Sequence, residues 1–135
     1  FEKERDETFV GFCVMGGIFS EGIDLKEDRL IGVVIVGTGL PMVCTEQELL
    51  KGYFEKTNQK GFDYAYQYPG MNKVMQAAGR VIRTMEDEGI ILLLDDRFLK
   101  REYQELFPRE WWPHQIVNRG NVGKAIRDFW KERKR

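Results

Sequence analysis

The residues best suited to chemistry lie in the segment "MNKVMQAAGRVIR", which carries Gln76, Arg80 and Arg83. On an α-helix, which advances about 100° per residue, these three side chains would share one face. Two guanidinium groups and an amide that project together suit an anion with several acceptor oxygens, such as a triphosphate. Gly79 would let a ligand or a facing loop approach, although it costs about 1 kcal/mol relative to alanine inside a helix. The segment therefore favours a phosphate-binding site.

A solvated polar face is the alternative interpretation of this segment. Against it, the stretch from Pro69 to Met85 contains no carboxylate, although 32% of the chain is charged. Arg83 would pair with Asp87 four residues further on, in a salt bridge worth only tenths of a kcal/mol. The opposite face of the predicted helix is apolar and is expected to be buried. It consists of Met71, Val74, Met75, Ala78, Ile82 and Met85.

A second candidate is the glycine-rich stretch "GGIFSEGID", which begins at Gly16. Its glycines permit positive φ angles or a close approach of the backbone to a ligand. Ser20, Glu21 and Asp24 offer oxygens that accept hydrogen bonds from arginine, sugar hydroxyls or backbone amides. The same composition is typical of an ordinary turn, so this stretch defines no site by itself.

The elements around these residues predict an α/β domain with a mostly parallel sheet. Phe9–Met15, Leu30–Val36 and Ile90–Leu94 are short aliphatic runs typical of strands buried on both faces. Helices are expected at Thr45–Thr57, Met71–Met85 and Asn121–Arg135, the first opened by a capping box of Thr45 and Glu48. The glycine-rich stretch would then be a loop at a strand end, where α/β sheets bind ligands.

Bulk properties narrow the classes of protein. The 135 residues suffice for one domain with a core, and the net charge of -1 requires any nucleic-acid site to be a local basic face. Cys13 and Cys44 form no CxxC motif, so no metal site is predicted. The simplest interpretation is a reducing, cytoplasmic setting in which both thiols are small core residues. No apolar run reaches the roughly 20 residues of a membrane span. The start "FEKERDE" resembles the end of a helix, so the chain is expected to be part of a longer protein.

Several other polar and aromatic residues are predicted to serve the structure. His114 is expected to pack or lie at the surface, and Trp111 and Trp112 to close the core of the domain. Asp95 and Asp96 end a strand run with no further acid or histidine around them, which favours capping over catalysis.

Three motifs together resemble a known family. "QAAGRVIR" matches the Q-x-x-G-R-x-x-R pattern of motif VI in superfamily-two helicases, and "GGIFSEGIDL" resembles motif V of the XPD/DinG branch. "LLLDDRF" resembles the strand-end signature that follows motif VI. The motifs occur in the family's order between about Phe9 and Pro108. The chain thus resembles the C-terminal part of the second RecA-like motor domain of a bacterial DinG-type DNA helicase.

The resemblance implies a RecA-like fold, with residues 1–8 ending a preceding helix and residues 109–135 forming a C-terminal extension. It implies ATP in a cleft shared with an N-terminal motor domain of the same chain, and 5′-to-3′ movement on single-stranded DNA. Arg83 would be the arginine finger, with Arg80 the second candidate. ATP-binding residues would be Gln76, Gly79, Glu21, Gly22 and Asp24, and Gly17 and Ser20 would contact DNA or couple the two sites.

The catalytic parts that the chain lacks limit what it is expected to do alone. There is no G-x-x-x-x-G-K-[ST] motif, because Asn118 and Ala125 stand at the positions around Gly123-Lys124 where the motif needs glycine and a hydroxyl. No DEAH-type box is present, so the Mg²⁺ ligands are expected in the N-terminal motor domain and the chain alone is expected to be inactive. The alternative function is a standalone α/β module that binds a phosphate ligand or a protein without catalysis.

Overall fold

A computed structural model describes residues 7–17, 30–84 and 86–133. They belong to two compact units, the first ending at Glu105 and the second beginning at Leu106. The first unit contains strand β1 (Gly32–Val36), helix α1 (Thr45–Asn58), a π-helical turn (Asp63–Gln67), helix α2 (Tyr68–Ala78), strand β2 (Ile90–Leu94), a 3₁₀ turn (Asp96–Leu99) and the short helix α3 (Arg101–Gln104). The second unit contains a 3₁₀ turn (Arg109–Trp111) and helix α4 (Val122–Arg133).

The sheet of the described residues consists of β1 and β2, which pair in parallel with Gly32 opposite Ile90 and Val36 opposite Leu94. With the helices beside it, this pairing confirms the predicted α/β class. The strand predicted at Phe9–Met15 is wrong, because residues 8–14 have no regular secondary structure. An apolar run becomes a strand only where a neighbouring strand pairs with it. Phe12 instead has 97% of its surface exposed.

Burial of the two observed strands also differs from the prediction. Ile35 is the one residue of β1 that is buried, while Val34, Val36 and Leu94 are each more than half exposed. Alternate residues of a strand point to opposite faces of the sheet. Helix α2 packs against β1, so within the described residues the sheet is covered on one face.

Helix α1 begins without the predicted capping box. Cys44 is the N-terminal cap, with extended φ and ψ of -147° and 169°, and its side chain makes no capping hydrogen bond. Thr45 is already helical and so cannot act as the cap. Glu48 accepts a hydrogen bond of 2.5 Å from the Tyr66 hydroxyl instead, and this bond raises the pKa of Tyr66 to about 12. The carboxylate thus joins α1 to the π-helical turn.

The tyrosine-rich segment before α2 is helical. Gly61 and Phe62 are helical, the π-helical turn follows, and the Tyr68 N–H closes the wide turn by donating to the Asp63 carbonyl. Pro69 is the second residue of α2 and has no N–H to donate to the helical turn before it. Tyr64, which is 39% exposed, stacks on Phe54 of α1 with the ring centroids 4.4 Å apart.

Two glycines bring α2 against the loop that follows β1. A Cβ atom at Gly70 would lie 2.5 Å from the Thr38 carbonyl oxygen, and one at Gly39 would lie 2.8 Å from the Gly70 carbonyl oxygen. Gly39 also has a φ of 64°, which other residues rarely adopt. The backbones therefore touch directly, and this contact sets the position of α2 relative to the sheet.

The core of the first unit follows one side of α2. Met71, Val74 and Ala78 are buried, as predicted, but Ile82 is 43% exposed and Val81 is buried in its place. The prediction for Ile82 is wrong because the helical period stops at Ala78. The remaining buried apolar residues of this unit are Ile35, Ala65, Tyr66, Phe98 and Tyr103.

In the second unit, the rings of Trp111, Trp112 and His114 lie around Phe107. Trp112 is half exposed, so the prediction that both tryptophans close a core is wrong for this residue. His114 packs against Trp112, with the ring centroids 4.5 Å apart, in agreement with a packing role.

The two cysteines of the first unit are not in its core. Cys13 is exposed and Cys44 is partly exposed, so the prediction that both thiols are core residues is wrong.

We expect Val81→Ala to lower the free energy of unfolding by about 2 kcal/mol, because it leaves a cavity beside the sheet. Ile82→Ala is the matched control and should change stability by less than about 0.5 kcal/mol, since the side chain is substantially exposed. Urea unfolding of the two variants measures both values. Equal losses would contradict the burial pattern described here.

Candidate functional site

Helix α2 ends before the two arginines that the sequence places on it. Gly79 is the C-terminal cap, and its N–H donates to the Met75 carbonyl at 2.8 Å. The N–H groups of Arg80 and Val81 then donate to carbonyls three residues back, at 3.3 and 3.0 Å, which tightens the last turn. The prediction of a helix through Met85 is therefore wrong. Glycine and the β-branched pair Val81-Ile82 disfavour continuation of the helix.

The three candidate side chains consequently lie on different local structures. Gln76 is exposed in the last turn of α2, Arg80 is partly buried in the turn after it, and Arg83 is exposed in a segment without regular structure. Both arginines follow the carboxyl end of the helix, where the helix dipole favours cations. The three residues are close in sequence but do not share a helical face.

Asp87 holds the backbone beside Arg83. One of its carboxylate oxygens, Oδ2, accepts hydrogen bonds from the N–H groups of Arg83 at 2.9 Å and Thr84 at 2.8 Å. These two bonds hold the pKa of Asp87 below its ordinary value. The sequence predicts a salt bridge between the two side chains. The charge of Arg83 does help to lower the pKa of Asp87, and the two hydrogen bonds to the main chain are an addition that the sequence did not predict.

A buried contact fixes the other end of the same segment. A Cβ atom at Gly89 would overlap Cγ1 of Val81 and lie 3.1 Å from the Ile31 carbonyl oxygen. The next residue, Ile90, donates its N–H to that Ile31 carbonyl at 3.1 Å. Val81 therefore packs where β2 begins, and the segment that carries Arg83 runs between this packing contact and the Asp87 carboxylate.

The glycine-rich loop is described only at its start. Gly16 has a φ of 81°, and the Gly17 N–H donates to the Val14 carbonyl at 3.0 Å. The other predicted residues of this loop, Ser20, Glu21, Gly22 and Asp24, lie outside the described residues.

Lys73 is a residue that sequence reasoning missed. A Cβ atom at Gly16 would lie 3.7 Å from both Cδ and Cε of Lys73, so the lysine stem lies over the start of the loop. Lys73 precedes Gln76 by three residues and therefore shares its side of α2. The three-residue spacing between Lys73 and Gln76 is the feature of the sequence that could have identified Lys73. The contact links the glycine-rich stretch to the helix that carries the Q-x-x-G-R-x-x-R pattern.

Asp95, at the end of β2, serves as a cap. It accepts hydrogen bonds from the Arg97 N–H at 2.9 Å and from the Arg97 guanidinium nitrogen Nη2 at 2.7 Å. The guanidinium lowers the pKa of Asp95 to about 2. The Asp95 carboxylate thus caps the 3₁₀ turn, in agreement with the predicted capping role.

Residues 7–17, 30–84 and 86–133 contain no cluster of three or more His, Cys, Asp or Glu side chains able to hold a metal ion. None of the described helices is long and apolar enough to cross a membrane.

Comparison with protein families gives the class of protein. The family model described as "Helicase C-terminal domain" matches residues 1–115, which include both helicase-like motifs. The chain belongs to this family. The predicted resemblance to DinG/XPD-like DNA helicases is confirmed.

The relatives are named as helicases. The chain is 30% identical over 133 residues to the regulator of telomere elongation helicase 1 homolog of Caenorhabditis elegans, covering 90% of this chain and 13% of that protein. It is 32% identical over 126 residues to the ATP-dependent DNA helicase chl1 of Schizosaccharomyces pombe, covering 87% and 15%. It is 34% identical over 92 residues to the ATP-dependent DNA helicase YoaA of Haemophilus influenzae, covering 66% and 14%. The chain therefore spans about one seventh of the length of these relatives.

The Asp95–Arg97 pair gives a pH-dependent prediction. Because the folded-state pKa of Asp95 is depressed, its contribution to stability is present above about pH 4 and is lost as pH falls towards 2. The melting temperature of wild type should exceed that of Asp95→Asn at pH 6, and the difference should shrink by pH 2. The exposed neighbour Asp96 provides the control, Asp96→Asn. A gap between wild type and Asp95→Asn that persists at pH 2 would contradict the assignment.

Proposed function

We propose that this chain is the C-terminal part of the second RecA-like motor domain of an ATP-dependent DNA helicase. The observation that carries the proposal is the set Gln76, Gly79, Arg80 and Arg83, spaced as in motif VI inside the matched residues 1–115. The names of the relatives support ATP as the cofactor and DNA as the substrate. The covered share of those relatives supports a longer parent protein.

In this proposal ATP binds in a cleft shared with an N-terminal motor domain of the same chain. Gln76 and Arg80 contact the phosphates, and Gly79 gives them room to approach. Glu21, Gly22 and Asp24 contact the ribose or orient the arginines. The N-terminal motor domain supplies the Mg²⁺ ligands and the acid that activates water.

Arg83 is the arginine finger in this proposal, and Arg80 is the second candidate. A finger stabilises negative charge that develops as the phosphoryl group transfers. It must be exposed, to reach across a cleft, and fixed at its base, so that little reorganisation is needed. The exposure of Arg83 and the two hydrogen bonds that Asp87 accepts beside it support this choice, whereas Arg80 is partly buried.

DNA binding is also assigned to the glycine-rich loop. Gly17 and Ser20 contact the backbone of single-stranded DNA or transmit its binding, and the helicase moves 5′ to 3′. The contact of Gly16 with Lys73 supports a coupling role, because it joins the start of the loop to α2. Residues 109–135 form a C-terminal extension, and the parent is cytoplasmic. The helix end expected at residues 1–8 does not include residues 7 and 8, which are not helical.

Arg83→Ala in the full-length parent should lower ATP turnover by roughly 10³-fold while nucleotide affinity stays within about tenfold. A finger makes its best contact only in the transition state, which is why turnover and affinity separate. Arg83→Lys should restore little, because an ammonium lacks the planar fork. Steady-state turnover and equilibrium nucleotide binding give the two quantities.

Arg119→Ala is the matched control, since this exposed arginine lies in the second unit, outside the matched residues. If Arg83→Ala keeps wild-type turnover, the finger passes to Arg80 or the assignment fails. Unchanged turnover in Arg83→Ala is also what we expect if this domain only binds a phosphate ligand or a protein and takes no part in catalysis.

The 135-residue chain by itself should show no ATP hydrolysis above background, with or without single-stranded DNA. The reason is that it lacks a phosphate-binding G-x-x-x-x-G-K-[ST] loop and a DEAH-type box. A phosphate-release assay on the purified chain measures this, with the parent helicase as positive control. DNA-stimulated turnover by the chain alone would contradict the proposal.

A further inference from the structure

We infer that Asp87 is a positioning residue for Arg83: its carboxylate fixes the backbone from which the finger projects. The inference rests on the proposed function of Arg83 and adds a residue outside the Q-x-x-G-R-x-x-R pattern. Asp87 acts through Arg83 and does not itself touch the nucleotide.

The geometry provides the first step. A single oxygen, Oδ2, accepts both the Arg83 N–H at 2.9 Å and the Thr84 N–H at 2.8 Å. Two bonds to adjacent amides restrict the rotation of the peptide between them, which one bond would not do. Thr84 in turn accepts the Glu86 N–H on its hydroxyl at 3.3 Å, so the turn closes on itself.

The end of α2 provides the second step. Because the helix stops at Ala78, Arg83 lies in a segment without regular structure, and its backbone is not held in a helical turn. The residue before it, Ile82, is 43% exposed. Val81 is buried on the N-terminal side of this segment, and the two Asp87 bonds lie on its C-terminal side. Loss of the Asp87 bonds should therefore loosen the backbone from which the Arg83 side chain projects.

Catalysis by a finger is sensitive to such placement. A displacement of about 1 Å in a group that contacts the transition state costs up to about 10²-fold in rate. Loss of the Asp87 bonds should therefore lower kcat while leaving KM for ATP almost unchanged. A residue that only stabilised the fold would lower the melting temperature with no such separation.

The test compares Asp87→Glu with Asp87→Asn in the full-length parent. Glutamate keeps the charge but moves the carboxylate by one methylene, so the two bonds are lost or distorted. Asparagine loses the charge but keeps a carbonyl oxygen at the same distance from the backbone. We expect kcat to fall by about 10- to 100-fold in Asp87→Glu and by less than about threefold in Asp87→Asn. Glu86→Asp, the reciprocal change at the exposed neighbour, should behave as wild type.

Two further measurements separate this inference from the proposed function. In an Arg83→Ala background, Asp87→Glu should lower kcat no further, because its effect passes through Arg83. Amide hydrogen exchange at Thr84 should accelerate in Asp87→Glu but not in Asp87→Asn, whatever the activity.

The inference is overturned if Asp87→Glu keeps wild-type kcat while Arg83→Ala does not. It is equally overturned if the two substitutions lower kcat independently, or if exchange at Thr84 is unchanged in Asp87→Glu. If Arg83→Ala itself keeps wild-type turnover, the finger assignment fails, and the positioning role fails with it.

Discussion

The contact of Val81 with Gly89 is the constraint on which the arrangement of the candidate site depends. It joins the end of α2 to the beginning of β2, at a point with no space for another carbon atom. β2 pairs with β1, and α2 packs on β1, so α2, the turn after it and the two strands are all in contact with one another. The turn that carries both arginines connects α2 to β2, so the sheet constrains its path.

Polar contacts then fix details that apolar packing leaves open. Packing is non-directional and orders a segment only where side chains are buried. The segment from Ile82 to Thr84 is exposed, and a hydrogen-bonded carboxylate orders it instead. The same use of carboxylates recurs at Glu48, which bonds Tyr66, and at Asp95, which bonds Arg97. Asp87 and Asp95 act within their own turns, whereas Glu48 joins two elements that are distant in sequence.

How much the sequence predicts differs between elements for physical reasons. The run Ile90–Leu94 is a strand with the predicted bounds, since it has a partner, whereas the equally apolar Phe9–Met15 is not a strand. Strand pairing is a non-local property that periodicity does not contain. The helical period through Met71, Val74 and Ala78 identifies the buried side of α2 but not its end, which Gly79 and the packing of Val81 determine.

The candidate site shows the same division between local and non-local information. Motif spacing identifies Gln76, Arg80 and Arg83 as a group, because that information is local. Motif spacing does not reveal the contact of Lys73 with Gly16, because that contact depends on how a loop crosses a helix. It also does not reveal the hydrogen bonds from the main chain to Asp87, because the spacing of side chains predicts only pairs of side chains. The roles of all these residues remain proposals.

The crossing of Gly39 and Gly70 has a mechanical consequence. Side chains between two packed elements absorb small displacements by changing rotamer, and here the two backbones meet with no side chain between them. A push along the axis of α2 is therefore transmitted to the loop after β1 with little slack.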